Sequence, residues 1–466
     1  MSVVNTAQWQ EVTQSLANGG GTLLGLWGEP HRAHMAVLDA ESRIAVFSLD
    51  CPDSRYPSVA AVHAPAMRLE RTMRDLYRLD PVGLPDTRPW LDHGDNPTAY
   101  PFLPVEGESL HQIPVGPVHA GIIEPGHFRF TADGETVVRL EQRLGYVHKG
   151  IEALLHGATI EQAARIAGRT SGDSTVAYAF AFARAVEAAF GVTPPPRAVW
   201  LRGVMAELER IANHLGDFGA ICNDASFSIM LAHCGILREL VLRCSAACFG
   251  HRLMMDRVVP GGVAVDLSAD GVSRIRSLAG EVRGRFAPLV ALYDATASLQ
   301  DRTVGTGIVQ ADLARRFSAG GYVGRASGRN FDARKSVGYP PYDQLSFEVP
   351  VLTEGDVNAR AWIRIKEIQQ SLSLLEQMLD RLQPGNVRND LVGDGPHEGL
   401  ALVEAFRGDV LVWLRIDASG RIDRCHLRDA SWFQWPLLEA AIEGNIVADF
   451  PLCNKSFNCS YSGHDL

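Results

Sequence analysis

The sequence predicts an α+β fold, with a small N-terminal α/β domain and a large domain that has a helical bundle core and flanking antiparallel β-strands. Short apolar runs broken by Gly, Pro, Asp and Ser occupy residues 22–48 and 399–427, which is typical of strands. Between them, apolar residues recur at three- and four-residue steps through residues 200–259 and 359–382, as in long packed helices. Strands are therefore expected on either side of a helical core.

The length and the proline content predict three segments. A chain of 466 residues is too long for one compact core. Residues 1–95 combine a helix at 1–16, three short strands and a helix at 68–77, so we predict a small separate domain. Residues 96–107 contain three prolines and are predicted to form an extended linker. Residues 108–466 form the large domain, which opens with two or three antiparallel strands.

The composition excludes several classes of protein. Acidic residues outnumber basic ones by 54 to 44, and the resulting net charge of -10 argues against a nucleic-acid binder. No secretory leader opens the sequence, and no apolar run reaches the roughly 20 residues that a membrane helix needs. Eight scattered cysteines do not form a disulfide framework and fit a reducing compartment. We therefore expect a cytoplasmic chain that does not cross the membrane.

Residues 164–178 form a polar, glycine-containing stretch that we call the joint. A helix is predicted before it, because residues 139–155 place apolar side chains at helical spacing. A second helix is predicted after it at residues 176–190, which are rich in Ala and Phe and therefore expected to be buried on most sides. A polar stretch between two packed helices is a natural place for a functional site.

The joint resembles one known family, together with residues 143–152, 202–215 and 355–360. This family contains the 49-kDa subunit of respiratory complex I and the large subunit of membrane-bound (group 4) nickel-iron hydrogenases. Residues 68–91 resemble the end of the complex I 30-kDa subunit. A fusion of 30-kDa-like and 49-kDa-like parts is the arrangement of group 4 hydrogenase large subunits, so the resemblance assigns 1–95 to the first part and 108–466 to the second.

The resemblance places the hydrogenase nickel ligands at unsuitable residues. In the hydrogenases two cysteines of the joint hold nickel, and these positions match Ala167 and Thr170, while a nearby histidine matches Ser174. A second Cys-x-x-Cys pair lies near the C-terminus, where this chain has Cys453 and Cys459 with five residues between them. Nickel needs soft, deprotonated sulphur ligands, which a methyl group and a hydroxyl do not supply. We therefore expect no cofactor or metal on this chain, and no nickel-iron centre.

The complex I chemistry is also altered at its central residue. There a tyrosine of the joint hydrogen-bonds the quinone head group, and its position matches Gly168. A histidine of the first hairpin protonates the quinone in complex I; His119 matches the motif, and His127 takes this role if a gap is inserted. A lone loop histidine is more often a hydrogen-bonded turn residue, although imidazole can pass protons near neutral pH. The predicted cavity residues are His119, His127, Arg169, Asp173 and Tyr178.

Three further predictions concern charged residues. Arg325, Arg329, Arg334 and Lys335 lie in a glycine-rich loop and are expected to anchor carboxylates of a neighbouring chain. Glu207, Arg210 and His214 share one helix face, for which an intrahelical charge pair is the simplest explanation. In this family the C-terminus folds back against the joint, so Asp449, His464 and Asp465 are expected to be buried or to face a partner.

The resemblance implies an oxidoreductase subunit that is active only in a complex. Such a chain is the large subunit of the peripheral arm of a complex I-like or hydrogenase-4-like membrane oxidoreductase. With an iron-sulphur small subunit, similar to the complex I 20-kDa subunit, it forms a cavity for a quinone or another acceptor. The sequence has no four-cysteine cluster motif, so the iron-sulphur cluster is expected in that partner.

The resemblance also implies a location and activities of the whole complex. Membrane-arm subunits of complex I or antiporter type attach the chain to the inner face of the cell membrane. Quinone binding, NAD binding and electron transport are the activities expected there. Two alternatives stay open: a nickel-iron hydrogenase large subunit of the formate hydrogenlyase type, and a non-catalytic subunit that couples its neighbours.

Overall fold

A computed structural model describes residues 2–91, 100–120, 123–393 and 397–466. The first part of the predicted linker, residues 96–99, lies outside the described residues. The structure confirms the α+β class: several small, mostly antiparallel sheets surround a set of long helices. No helix in the described ranges is both long enough and apolar enough to cross a lipid bilayer.

The N-terminal part is a four-stranded sheet in the order β1-β4-β3-β2, with β1 parallel to β4 and the other pairs antiparallel. Its first helix begins at a capping box in which the side chains of Asn5 and Gln8 each accept a main-chain N–H of the other residue. The predicted strands and the helix predicted at 68–77 are present, but the helix predicted at 1–16 begins only at Thr6, because residues 2–4 form a strand that pairs with β4. The elements are β1 Ser2–Val4, α1 Thr6–Ala17, β2 Thr22–Glu29, β3 Arg32–Leu38, β4 Ile44–Asp50, β5 Arg55–Pro57, α2 Met67–Tyr77 and β6 Asp80–Val82.

The large part opens with an antiparallel sheet of β7 Leu110–Val115, β8 His127–Asp133 and β9 Thr136–Arg143. The helix predicted over residues 139–155 is wrong for residues 139–150. Leu140 lies in β9, where it pairs with Phe130, and only α3 Ile151–Leu155 is helical. Gly145 and Gly150 have φ values of 97° and 68°, which interrupt a right-handed helix. Pairing with β8 therefore overrides the helical spacing of the leucines.

The core of the large part is helical, as predicted. Helix α6 lies at its centre and packs against α7, α12 and α14, while α5 packs on strands β12 and β13. Helix α8 is absent from the prediction, although Ile275, Leu278, Val282 and Phe286 are spaced at steps of three and four and are buried. The elements are α4 Ile160–Ala167, α5 Thr175–Phe190, α6 Pro196–Asp224, α7 Ser228–Phe249, β10 Val258–Val259, β11 Gly262–Val263, α8 Ala269–Ala295, α9 Ala297–Thr303, α10 Ala311–Arg316, α11 Gly321–Ala326 and α12 Val357–Arg381.

The C-terminal part returns to a three-stranded antiparallel sheet, followed by short helices. The hairpin predicted at Arg407-Gly408 is confirmed. This sheet also contacts the N-terminal sheet. The ring centroids of Trp27 and Trp413 lie 5.3 Å apart, and Arg415 Nη2 lies 2.6 Å from Glu29 Oε2. The elements are β12 His397–Ala405, β13 Gly408–Ile416, β14 Ile422–Arg428, α13 Ser431–Ile442, α14 Phe450–Phe457 and α15 Tyr461–Asp465.

A network of buried charges crosses the helical core. The predicted pair on α6 is confirmed, with Arg210 Nε 3.3 Å from a Glu207 oxygen. The expectation that Arg325 anchors a neighbouring chain is wrong. Its guanidinium is fully buried and bonds Glu367 at 2.6 Å and Glu404 at 2.8 Å within the same chain. Desolvating an arginine is unfavourable unless carboxylates surround it, and here the core itself supplies them.

The same correction applies to Arg334, which is 3% exposed. It bonds Asp332 at 2.7 Å and Glu207 at 3.0 Å. These two arginines of the glycine-rich loop thus bind the helical core rather than a partner surface.

Candidate functional site

The middle of the joint, residues 168–174, is a short turn between two helices. Helix α4 ends at Ala167 and α5 begins at Thr175, whose hydroxyl donates a 2.5 Å hydrogen bond back to the Gly168 carbonyl. The first N–H groups of a helix lack partners within it. Glu209 on α6 supplies these partners, since its carboxyl oxygens accept the N–H groups of Val176 at 2.7 Å and Ala177 at 3.1 Å. The start of α5 is therefore fixed to the central helix.

Asp173 forms a two-pronged ion pair with Arg407, which lies in the turn between β12 and β13. The distances are 2.9 Å from Nη1 to Oδ1 and 2.5 Å from Nη2 to Oδ2. Burial raises the pKa of Asp173, but Arg407 outweighs burial and the net shift is downward. Asp173 is thus an ionised carboxylate, and 37% of its side chain is exposed, whereas Arg407 lies buried beneath it.

The C-terminal tail, residues 458–466, packs against the joint as predicted. Arg407 Nε donates to the Asn458 carbonyl at 2.5 Å, and the hydroxyls of Ser171 and Ser460 lie 3.1 Å apart. His464 and Asp465 are fully buried, which confirms that part of the prediction. Asp449 is half-buried, with its oxygen 3.3 Å from Arg302.

Tyr178 lies on the first turn of α5 and is also held by the C-terminal part. Its buried hydroxyl donates to Asp429 Oδ2 at 2.8 Å. Burial raises the pKa of Tyr178 well above its ordinary value, and the Asp429 charge raises it further, so the phenol stays protonated. A side chain at Gly463 would lie 2.7 Å from the same Asp429 oxygen, so the tail and Asp429 are in close contact.

His119 reaches this cluster through the tail. Its Nε2 lies 3.5 Å from the Tyr461 hydroxyl, and its Nδ1 lies 3.2 Å from the Pro117 carbonyl. Glu124, five residues after His119 in sequence, also contacts the tail, because its side chain accepts the N–H of Ser462 at 3.1 Å. The structure therefore brings Asp173, Tyr178 and His119 to one tail.

His127 and Arg169 lie outside this cluster. His127 is on β8, where its ring lies 4.6 Å from that of Phe102, and burial lowers its pKa. Arg169 turns outward and bonds both oxygens of Asp256 at 2.7 Å, with 46% of its side chain exposed.

The residues at the nickel-ligand positions do not fit nickel. Ala167 and Thr170 are buried and carry no thiol, and the Thr170 hydroxyl has no hydrogen-bond partner among the described residues. Cys453 packs against Gly307, where an added Cβ would lie 2.5 Å from its Sγ; burial raises the pKa of Cys453 to about 11, so it is a thiol. Cys459 directs its Sγ to Gln434 Oε1 at 3.9 Å.

The described residues also offer no other cluster of metal ligands. Across the described part of the chain, no three His, Cys, Asp or Glu side chains lie close enough together to hold a metal ion. Soft sulphur donors are what nickel requires, and the joint offers hydroxyls, carboxylates and a guanidinium instead.

Three residues of the cluster are missing from the sequence prediction: Arg407, Glu209 and Asp429. The sequence around Arg407 indicates only a hairpin turn, and its partner Asp173 lies 234 residues away in sequence. Glu209 is one of several charged residues on α6. Its pKa is raised to about 8, because burial outweighs the two N–H donors.

Comparison with known proteins places these features in a family. Residues 225–397 match the family model described as "Respiratory-chain NADH dehydrogenase, 49 Kd subunit". The chain is 31% identical to formate hydrogenlyase subunit 5 of Escherichia coli, over 90% of this chain and 78% of the relative. It is also 31% identical to hydrogenase-4 component G of Escherichia coli, over 96% and 84% of the two chains.

A complex I relative matches as well. An NADH-quinone oxidoreductase subunit of Syntrophobacter fumaroxidans is 31% identical over 75% of this chain and 94% of the relative. These relatives are subunits of oxidoreductase complexes. The chain therefore belongs to the family of complex I 49-kDa subunits and group 4 nickel-iron hydrogenase large subunits, without the nickel-ligand cysteines at the joint.

Proposed function

We propose that this chain is the large subunit of the peripheral arm of a complex I-like or hydrogenase-4-like membrane oxidoreductase, with a cavity for a quinone or another organic acceptor at the joint. The observation that carries the proposal is the Asp173–Arg407 ion pair. It holds a fixed carboxylate between Thr170 and Ser174, two positions that match hydrogenase metal-site residues. Polar groups thus take the place of a metal.

These groups suit an acceptor that takes up protons with electrons. Reduction of a quinone to a hydroquinone consumes two electrons and two protons. The exposed part of Asp173 is an ionised carboxylate, which can accept a hydrogen bond from a hydroxyl of the product. Glu209 has a pKa of about 8 and holds a proton at neutral pH close to Asp173. Tyr178 and His119 complete the set of groups that can hold or pass protons at this tail.

We assign the electron supply to an iron-sulphur small subunit. This chain has no four-cysteine motif, and six of its eight cysteines are buried. Gly172 and the outer edge of Asp173 are solvent-accessible, so a partner placed there closes the cavity from outside. NAD binding then belongs to another chain of the complex, and membrane-arm subunits hold the assembly at the cytoplasmic face of the membrane.

A second candidate is a non-catalytic subunit that couples its neighbours. The hydrogen bonds within the joint favour this coupling role. Both Asp173 oxygens already accept from Arg407, and the Tyr178 hydroxyl already donates to Asp429. Groups that bond each other so fully can serve structure alone. The nickel-iron hydrogenase alternative is the least supported, because the joint lacks its donor set.

The test has two parts, both on the complex purified with its small subunit under reducing, oxygen-free conditions. Elemental analysis comes first, and we expect nickel at background. About one nickel per chain would overturn the metal-free proposal and favour a hydrogenase. The second part follows reduction of a short-chain ubiquinone by the complex, with reduced methyl viologen as electron donor.

Two variants distinguish the remaining candidates. Asp173→Asn keeps the size of the side chain and removes its charge, and we expect it to slow quinone reduction at least about tenfold, as for loss of an acid–base group. Asp256→Asn is the matched control, since it breaks the exposed pair with Arg169 away from the tail. Full activity in an intact Asp173→Asn complex would contradict the catalytic proposal and favour the coupling role.

A further inference from the structure

Two cysteines lie one turn apart on helix α7, and they differ from the other cysteines of the chain in their exposure. Cys244 and Cys248 are partly exposed, whereas the other six cysteines are buried. The sulphur atoms of the two residues lie 3.9 Å apart. The fold therefore places two accessible thiols side by side, and we call them the dithiol pair.

The dithiol pair makes only weak contacts in its present state. Cys248 Sγ donates to the Gly271 carbonyl of helix α8 at 3.7 Å, and the Cys244 thiol contacts the Cys248 sulphur. A thiol is a weak hydrogen-bond donor and a weak acceptor. Little stabilisation is therefore lost when the two protons are replaced by another electrophile.

The separation of the two sulphurs fits a metal bridge better than a disulfide. A disulfide needs sulphurs about 2.05 Å apart and Cβ atoms within about 4.5 Å. Cβ atoms at positions i and i+4 of a helix lie about 5–6 Å apart, so a disulfide would distort α7. With metal–sulphur bonds of about 2.3 Å, two sulphurs on one ion lie about 3.8 Å apart in tetrahedral geometry and about 4.6 Å apart in linear geometry. The observed 3.9 Å thus allows both thiols to hold one ion on an intact helix.

The number of ligands selects the kind of ion. In the described ranges, no third His, Cys, Asp or Glu side chain joins the pair to form a metal-binding group. His251 follows Cys248 by three residues, but its Nδ1 accepts the N–H groups of Leu253 and Met255, both at 3.2 Å. A structural zinc site needs four protein ligands, so two thiolates do not suffice. Cu(I) is soft, prefers thiolates, and is stable with two sulphur ligands.

The charges of helix α8 suit such a complex. Two thiolates and one Cu(I) ion carry a net charge of about -1. The hydrogen bond between the thiols raises the pKa of Cys244 and lowers the pKa of Cys248, and the nearby Arg274 lowers both. Asp270 raises the pKa of Cys248, but its side chain is 71% exposed and pairs with Arg274 at 2.6 Å. Water and Arg274 therefore screen the Asp270 charge.

We propose that the dithiol pair binds one Cu(I) ion through both sulphurs. Cys244 and Cys248 each form one bond to the ion and each release one proton to solvent, and no electron is transferred. No residue of the joint is a ligand, so this site stands without the acceptor cavity proposed there. It also differs from a nickel site, because nickel needs more ligands than this pair supplies.

Oxygen-free titration of the full chain with Cu(I), in competition with the chelator bicinchoninate, tests the proposal. We expect the unmodified chain to withdraw one Cu(I) per chain from the chelator. Cys244→Ser and Cys248→Ser are each expected to lower the affinity at least about 100-fold, because each removes one of two ligands. Both positions are partly exposed, so the variants are expected to fold, which circular dichroism verifies.

A matched control is available on the same helix. Cys234 is a buried thiol outside the pair, and Cys234→Ala is expected to leave the Cu(I) affinity unchanged. If the unmodified chain withdraws no Cu(I), or if Cys248→Ser binds it as tightly, the proposal is wrong. An equal loss in Cys234→Ala would likewise place the ion elsewhere.

X-ray absorption at the copper K-edge measures the coordination directly. We expect two sulphur neighbours per copper and no nitrogen neighbour. His251→Gln is expected to leave both the spectrum and the affinity unchanged. A third sulphur or a nitrogen neighbour, or a tenfold loss of affinity in His251→Gln, would contradict the two-ligand assignment.

Discussion

The guanidinium of Arg407 and the carboxylate of Asp173 form a two-pronged ion pair that joins the β12–β13 turn to the joint, with N···O distances of 2.9 and 2.5 Å. Arg407 also binds the tail through the Asn458 carbonyl. One side chain thus connects the C-terminal sheet, the joint and the tail. Substitutions in this connection, and in the buried carboxyls around it, are expected to have distinct effects on stability.

Loss of the Asp173 charge is expected to destabilise the fold. Asp173→Asn leaves the buried Arg407 without its counter-charge, and we expect the free energy of unfolding to fall by about 2 kcal/mol. Fully buried pairs lose more, but 37% of the Asp173 side chain is exposed to water. Urea denaturation monitored by circular dichroism gives the value.

The Arg169–Asp256 pair provides the comparison. It has similar N···O distances, but its side chains are 46% and 35% exposed. Exposed ion pairs contribute little, so Asp256→Asn is expected to cost less than about 1 kcal/mol. If the two variants lose the same free energy of unfolding, burial of Arg407 is not what makes the Asp173 pair strong.

Glu209 is expected to make stability fall as pH rises toward 8. Burial raises its pKa from the ordinary 4.5 to about 8, despite two N–H donors. Between these values the folded chain holds a proton that the unfolded chain has released, so this carboxyl favours unfolding increasingly as pH increases. Glu209→Gln removes that dependence.

Urea denaturation at pH 5.5 and pH 8 measures the effect. The stability of Glu209→Gln relative to the unmodified chain is expected to improve by about 1 kcal/mol or more between the two pH values. The same difference at both pH values would mean that Glu209 stays ionised throughout, held by the N–H groups of Val176 and Ala177.

Glu152 is expected to show the opposite pH dependence. Burial raises its pKa, but Arg424 and His426 outweigh burial and lower it to about 2. Its contribution is therefore complete above the unfolded pKa near 4.5 and is lost as pH falls toward 2. We expect Glu152→Gln to cost about 3 kcal/mol at pH 7, because it leaves Arg424 buried without its counter-charge.

The cost of Glu152→Gln should shrink at low pH. At pH 3 the unmodified chain has lost part of the same contribution, so the two proteins are expected to differ less in urea denaturation. A constant difference from pH 7 to pH 3 would contradict the assigned direction of the Glu152 pKa shift.

Gly321 is expected to tolerate no side chain. Its φ is +61°, and an added Cβ would lie 1.9 Å from the Arg407 carbonyl oxygen. Gly321→Ala therefore displaces the turn that carries Arg407, and we expect a loss of about 3 kcal/mol or more from strain and steric clash. Differential scanning calorimetry measures the shift in the melting temperature.

Gly134→Ala separates backbone strain from the clash. Gly134 has a similar φ of +56°, and a Cβ added there would have no other atom within 4 Å. Only the left-handed conformation is penalised at this position, which costs about 1 kcal/mol. If the two variants melt at the same temperature, contact with the Arg407 turn is not important for stability.

The spacing of apolar residues and the turn residues predict secondary structure correctly in several segments. The strands at residues 22–48, the buried helix α5 and the hairpin at Arg407-Gly408 follow their sequence signals. The segment 139–155 shows the limit of such signals. Its leucines fit a helix, but β9 pairs with β8 instead, because distant backbone hydrogen bonds outweigh a weak local preference.

The site was predictable only in part for the same reason. Asp173, Tyr178 and His119 come together through the C-terminal tail, whereas Arg169 and His127 do not join them. Their sequence neighbours gave no indication of this difference. Arg325 and Arg334 are further examples, since no local pattern reveals that core carboxylates surround them.

The family, the α+β class and the absence of cysteines at the joint follow from the sequence, because they depend on residue identity and local spacing. Which charged groups meet depends on how the chain folds: Arg407 meets Asp173, Glu209 meets the start of α5, and Glu152 meets Arg424. Folding also forms a cavity of about 170 Å³ between β2, α2 and α3 from segments that are distant in sequence. Electrostatics and burial act through space, and distance along the chain does not specify distance in the folded molecule.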